Sequence, residues 1–170
     1  MRRLGLLTVL LLSAIAPATA AAELPTPASR TIVPGTSIGG VAIGMTVKRA
    51  VAAWGPGSAC TELSRSTSCY WKGTDLQGSA NVVIDATGKV VLISISAGRR
   101  GDELAYAGPL LKWRTRKKVG LGSSTAAVVK AYPRQIKSSP SGPQLGSGKR
   151  ATTFQPSSRR IYQISIGPLF

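Results

Sequence analysis

Histidine is absent from this 170-residue chain, acidic residues number six, and aromatic residues make up 5%. The missing imidazole excludes Ser-His and Cys-His catalytic pairs, a proton shuttle near neutral pH, and the common zinc sites. Scarce carboxylates exclude most paired acid–base chemistry. Asp102 and Glu103 are adjacent, but Arg99 and Arg100 beside them keep both ionised. Asp85 falls in a predicted turn, and no Ser-x-x-Lys occurs on a predicted helix. Gly120-Leu121-Gly122-Ser123-Ser124 opens a helix but lacks the spacing of a phosphate loop. The sequence reads as non-enzymatic, with no cofactor and no metal.

Positive charge is what the chain has in excess. Twenty-two Lys and Arg give a formal net charge of +16 and a pI near 11.0. A hydrophobic content of 43% is nonetheless too high for a disordered polycation, so the chain is expected to fold. The charge is uneven. Residues 31–104 hold seven basic and five acidic side chains, whereas residues 105–170 hold twelve basic and none acidic.

Met1-Arg2-Arg3, the apolar run over residues 4–16 and the small-residue site Ala18-Thr19-Ala20 read as a secretory signal peptide over residues 1–20. Cleavage after Ala22 is the alternative. The run is too short to span a bilayer, so a secreted, extracellular protein is expected. In that oxidising compartment the only two cysteines, Cys60 and Cys69, are expected to bridge two neighbouring strands. Their spacing is not that of a redox-active Cys-x-x-Cys pair.

Self-comparison reveals two copies of one unit. Val41-Ala42-Ile43-Gly44-Met45-Thr46 is echoed 78 residues later by Val119-Gly120-Leu121-Gly122-Ser123-Ser124. Thr46 and Ser124 can each cap a short helix. The apolar stripes that follow are Val47, Ala50, Val51 and Trp54 in the first copy, and Thr125, Val128, Val129 and Tyr132 in the second. Gly55-Pro56 and Pro133 stop them. Residues 79–85, 86–88 and 89–96 then read as strand, turn, strand, and residues 150–156, 157–159 and 160–167 repeat that pattern. The second copy is shorter in its middle, where residues 135–148, rich in Ser, Pro and Gly, read as a mobile loop.

The predicted fold is α+β: two tandem units, each a short helix packed on a small antiparallel sheet. The N-terminal linker covers 21–34, the first unit with its Cys60–Cys69 bridge 35–98, the connection 99–112, and the strongly basic second unit 113–170. Strict alternation puts Val83, Val91, Ile93 and Ile95 on the face that meets the helix, matched by Phe154, Tyr162, Ile164 and Ile166. The opposite face is Ala80, Val82, Ile84, Val90 and Leu92 in the first unit, and it needs cover from the chain or a partner. In the second unit that face is polar, with Thr153, Gln155, Gln163 and Ser165.

Gly44-Met45-Thr46, a short helix ending at Trp54-Gly55-Pro56, and Cys60 and Cys69 ahead of a hairpin resemble the β-lactamase inhibitory protein family of actinomycetes. The likeness covers residues 35–98 well and 113–170 loosely. The Gly-Met-Thr element is also similar to one in the small lipoprotein family of the outer-membrane β-barrel assembly machine. The first resemblance implies a secreted bacterial tandem whose loop after the second Cys sends an Asp into an enzyme's active-site pocket. Asp75, within Lys72-Gly73-Thr74-Asp75-Leu76-Gln77, falls at that place. Leu76 and Gln77 stand where the family has two aromatics.

The residues support two functional readings. In one, an inhibitor-like module grips another extracellular protein through a sheet face and the Asp75 loop. Its candidate contacts are Trp71, Asp75, Leu76, Val82, Ile84 and Leu92, with Trp71 alternatively packing beneath the hairpin. In the other, the protein attaches electrostatically to an anionic envelope polymer or lipid surface. Its candidates are Lys112, Arg114, Arg116, Lys117, Lys118, Arg159 and Arg160, of which the first three form a stripe if their strand alternates. Nucleic acid is disfavoured as a partner, because an exported chain carries no reader motif here.

Overall fold

Short runs of Val, Ile, Thr and Ser bounded by Gly and Pro favour strand over helix, and they dominate the fold. The computed structural model describes residues 23–55, 59–101 and 103–168, so the signal-peptide segment, Pro56 and Asp102 lie outside the described residues. Three very short strands, β1 (Thr31–Val33), β2 (Ser37–Ile38) and β3 (Val41–Ala42), precede helix α1 (Val47–Trp54). A four-stranded meander follows: β4 (Ala59–Leu63), β5 (Ser66–Lys72), β6 (Ser79–Asp85) and β7 (Val90–Ser96). The hairpin β8 (Gly98–Arg100) and β9 (Glu103–Ala105) and a 3-10 turn at Pro109–Lys112 lead to β10 (Arg114–Thr115) and helix α2 (Thr125–Ala131). The second meander is β11 (Ile136–Ser139), β12 (Gly142–Leu145), β13 (Thr152–Ser157) and β14 (Arg160–Ile166).

The two meanders share one sheet. β7 and β14, the last strand of each, pair antiparallel with Ile95 opposite Ile164, Ser94 opposite Ser165 and Ile93 opposite Ile166. The result is a single eight-stranded antiparallel sheet ordered β11-β12-β13-β14-β7-β6-β5-β4. Strand accounts for 46% of the structure and helix for 15%. The expected α+β pair of separate helix-on-small-sheet units is therefore wrong: the protein is mostly β, and each repeat completes the other's sheet. Two smaller expectations also fall. Residues 135–148 are not a loop but contain the β11–β12 hairpin, the counterpart of β4–β5. Within the expected linker, Leu24 is buried and β1 runs parallel to β10 in a small sheet ordered β10-β1-β2-β3.

The 78-residue echo has a clear structural role. Gly44, at φ +84°, donates its N–H to the Val90 carbonyl, and Val90 N–H donates to the Met45 carbonyl. Gly122, at φ +78°, makes the same pair of bonds with Ile161, which donates to Ser123. Each glycine turns the chain through the left-handed region and ties it to its own meander just before a helix begins. Ser124 then caps α2, accepting from Ala127 N–H at 3.1 Å, whereas Thr46 makes no side-chain cap bond. Helices this short are not stable alone. Burial of Ala50, Trp54, Val128 and Tyr132 against one face of the sheet holds them.

Each central hairpin carries an extra residue that changes its faces. The β6–β7 register shifts after Val83, leaving Val91 unopposed, and the β13–β14 register shifts after Gln155, leaving Tyr162 unopposed. Such a bulge breaks strict alternation. The buried face is consequently Ala80, Val82, Ile84, Val90, Ile93 and Ile95, continued by Phe154, Ile161, Ile164 and Ile166. The expected face assignment is corrected accordingly. Val82, Ile84 and Val90 are core, while Val83, Val91, Leu92 and Tyr162 lie half-exposed on the outer face.

Cys60 and Cys69 stand directly opposite each other in β4 and β5 and form the predicted disulfide. β4 is an edge strand with all its residues exposed. The bridge rather than burial holds it, contributing about 2–3 kcal/mol by restricting the unfolded chain.

Candidate functional site

The turn between β5 and β6 is built to be rigid. Gln77 N–H donates to the Thr74 carbonyl at 2.9 Å, and Gln77 Oε1 accepts from Thr74 N–H at 3.1 Å. Gly73 N–H donates to the Gly78 carbonyl at 3.2 Å, closing the loop at its base. Arg99 N–H, from β8, donates to the Asp75 carbonyl at 2.5 Å. This close approach depends on Gly98, where a Cβ would lie 2.3–2.4 Å from Asp75 O and from Leu76 C and O. Gly78, at φ +88°, would place a Cβ 2.1 Å from Ser96 O. The loop is thus clamped from beneath by backbone alone, and its tip is left to solvent.

That tip presents Asp75 and Leu76. Asp75 pairs with Lys72 at 3.5 Å, but the two side chains are 83% and 68% exposed, so the pair adds little stability and leaves the carboxylate free to exchange partners. Leu76 is 37% exposed. Beside the loop lies a depression of about 530 Å³ walled by Ser79, Ser96, Arg99, Tyr162 and Gln163. Ser79, Ser96 and Gln163 belong to the outer face of the sheet, so the depression is continuous with it. Across that face the register aligns Gln144, Thr153, Ser165, Ser94, Asn81 and Tyr70 in one row over six strands. Ser68 Oγ, two residues along β5 from Tyr70, donates to Asn81 Oδ1 at 3.0 Å. The row carries no charge, but its centre is closed to solvent: Thr153, Ser165 and Ser94 are buried, and Thr153 Oγ1 and Ser165 Oγ have no hydrogen-bond partner among the described residues, so only Gln144, Asn81 and Tyr70 reach the surface.

The candidate protein contacts divide cleanly. Asp75, Leu76 and the half-exposed Leu92 reach the outer surface, but Trp71, Val82 and Ile84 do not. Trp71 is fully buried and donates its indole N–H to the Gly55 carbonyl at 3.3 Å, so it packs beneath the hairpin. Val82 and Ile84 face the helices because their strand alternates inward at those positions. Tyr70, which the sequence offers beside Trp71 as an exposed anchor, is 44% exposed on the outer face, and Gln163 lies there as alternation places it, joined by Asn81 and Tyr162. With Cys69 and Trp71 pointing inward, the residue between them must point out.

The basic candidates form no stripe. Lys112 ends a 3-10 turn, and Arg114 turns inward to donate Nη1–H to the Leu121 carbonyl at 2.7 Å, where burial pushes its pKa down. Arg116 is exposed, and Lys118 sits in a tight turn at φ +64°. Lys117 Nζ donates to the Ala131 carbonyl at 2.6 Å and lies 4.6 Å above the Tyr132 ring, a cation placed at the C-terminus of α2. Arg159 and Arg160 lie at the other end of that helix. The Arg159 carbonyl accepts from Thr125 N–H, and Arg160 lies 5.9 Å over the Tyr106 ring. Lys117 and the Arg159–Arg160 pair thus lie at opposite ends of α2, and the seven cations are not gathered in one strip.

Of the carboxylates, Asp85 is engaged in its own hairpin. Its Oδ1 accepts from Thr87 Oγ1–H and from the N–H groups of Thr87 and Lys89, and these bonds, the Thr87 hydroxyl foremost, hold its pKa below the usual value. The Gly120–Ser124 segment likewise has its amides engaged, with Gly122 bonded to Ile161. Compared with known proteins, the chain matches no family model, no curated protein and no solved structure.

Proposed function

We propose that this is a secreted, non-enzymatic binding protein that grips another extracellular protein, in the manner of an inhibitor, with the outer face of its sheet and the Asp75 loop. The observation that carries the reading is the clamped loop. Its backbone is fixed by Gly98, Gly78 and the Arg99 amide, while Asp75 and Leu76 remain exposed. A loop ordered before encounter gives up little conformational entropy on binding. Asn81 and Gln144, the half-exposed polar members of the row, add hydrogen-bonding groups, and Tyr70 and Leu76 supply apolar anchors of the kind that dominate interface energetics. The resemblance to the β-lactamase inhibitory proteins, which place an Asp on this loop, agrees with that arrangement.

The test begins with a partner captured from the extracellular fraction on immobilised protein. Asp75→Ala and Leu76→Asp, both at exposed positions, are each expected to weaken its affinity by about tenfold or more. Affinities equal to that of the parent protein for both variants remove the loop from the binding surface.

A further inference from the structure

The outer face has a second feature, at the end of β6 away from the Asp75 loop. There the bulge brings Val83 and Val91 beside Ile43, Leu63 and Pro168, and together they wall a groove of about 570 Å³. That is the size of a small-ligand site, and its exposed lining is overwhelmingly apolar. Arg65 and Lys149 stand at its rim. Among the described residues neither has a carboxylate within ion-pair distance. Asp85 also reaches the rim, where its charge acts on Lys149 from beyond ion-pair distance, but its Oδ1 is engaged by Thr87 and Lys89 of its own turn. An apolar trough with two unpaired cations at its mouth complements a molecule with an apolar tail and an anionic head.

We propose that this groove binds a medium-chain fatty carboxylate. Its chain lies along Val83, Val91 and Ile43, and its carboxylate sits between Arg65 and Lys149. The tail gains by leaving water, and the two cations fix which end faces out. The groove shares no residue with the Asp75 loop or the depression beside it, although Val83 and Val91 lie on the same outer face, and fatty-carboxylate binding is read without any protein partner present.

Calorimetric titration of the purified protein with dodecanoate, kept below its micelle concentration, is expected to give saturable one-to-one binding, and acetate none. Leu63 is 54% exposed, so Leu63→Asp leaves the core intact and is expected to abolish the binding. Arg65→Ala combined with Lys149→Ala is expected to weaken it about tenfold. Lys130→Ala combined with Arg134→Ala removes the same charge from exposed positions outside the groove and is expected to change nothing. Absence of saturable binding, an unaffected Leu63→Asp variant, or equal weakening by the two double variants overturns the proposal.

Discussion

Trp54→Ala is expected to lower the unfolding free energy by about 3–5 kcal/mol. Against a typical domain stability of about 5–15 kcal/mol, that is a third or more of the total. Trp54 is fully buried at the C-terminal end of α1 and meets both other tryptophans edge-on, with ring centroids 5.0 Å from Trp71 and 5.9 Å from Trp113. It thereby links the helix, the first meander and the segment that leads into the second unit. Its indole N–H donates to the Ile38 carbonyl at 3.1 Å, so truncation also leaves a buried acceptor without its donor. The surroundings have little slack to close the cavity. Gly39 already lies so near Trp113 that a Cβ there would be 2.4 Å from the ring. Val129→Ala, at a position 44% exposed on α2, is the control and is expected to stay within about 0.5 kcal/mol. Urea denaturation followed by circular dichroism reads both. A Trp54→Ala midpoint equal to that of the parent protein would mean that the tryptophan cluster does not hold this half together.

Gly98→Ala is expected to act on the loop rather than the core. Its φ lies outside the left-handed region, so the added methyl is penalised by contact alone, against Asp75 O and Leu76 C and O. Relief requires the loop to move off β8, breaking the bond from Arg99 N–H to Asp75. Overpacking of this kind costs about 1–3 kcal/mol. The expected result is partner affinity reduced about as far as by Asp75→Ala, with amide-exchange protection of Ile93, Ile95 and Ile164 retained. Gly78→Ala adds a left-handed φ of +88° to a clash with Ser96 O, so a further penalty of about 1–2 kcal/mol is expected. If Gly98→Ala binds as tightly as the parent protein, the clamped geometry is not what binding uses.

Local features of this fold were legible, and long-range ones were not. The turn after Asp85, the Cys60–Cys69 bridge, the cap at Ser124 and the placement of both helices follow from residues near one another in the chain. Periodicity reports which face a side chain takes but not which strand lies alongside. Residues 89–96 and 160–167, strands at matching places in the two copies and holding Ile93-Ser94-Ile95 and Ile164-Ser165-Ile166, carry nothing that shows they pair with each other and merge the sheets. The bulges defeated the alternation argument itself. Val91 and Tyr162 carry no special chemistry, so a period of two ran straight through them. Pro156 was the missed clue in the second hairpin, since a proline within a strand marks an edge or a bulge. The basic stripe failed for a related reason. Alternation from Lys112 to Arg116 presumes a strand, but only Arg114–Thr115 is one, and Arg114 turns inward. At the candidate site, the exposed tip at Asp75 and Leu76 was legible as a loop, whereas the glycines that fix it act through backbone contacts between distant segments.

Oxidative footprinting of side chains in the complex with the captured partner tests the central claim most directly. The account predicts protection of Tyr70, Leu76, Leu92 and Tyr162, all on the outer face or the loop beside it, with Val129 and Tyr106 at α2 as reactive as in the free protein. Protection of Val129 and Tyr106, with Tyr70 and Leu76 unchanged, would contradict it and move the binding surface to the cations around that helix.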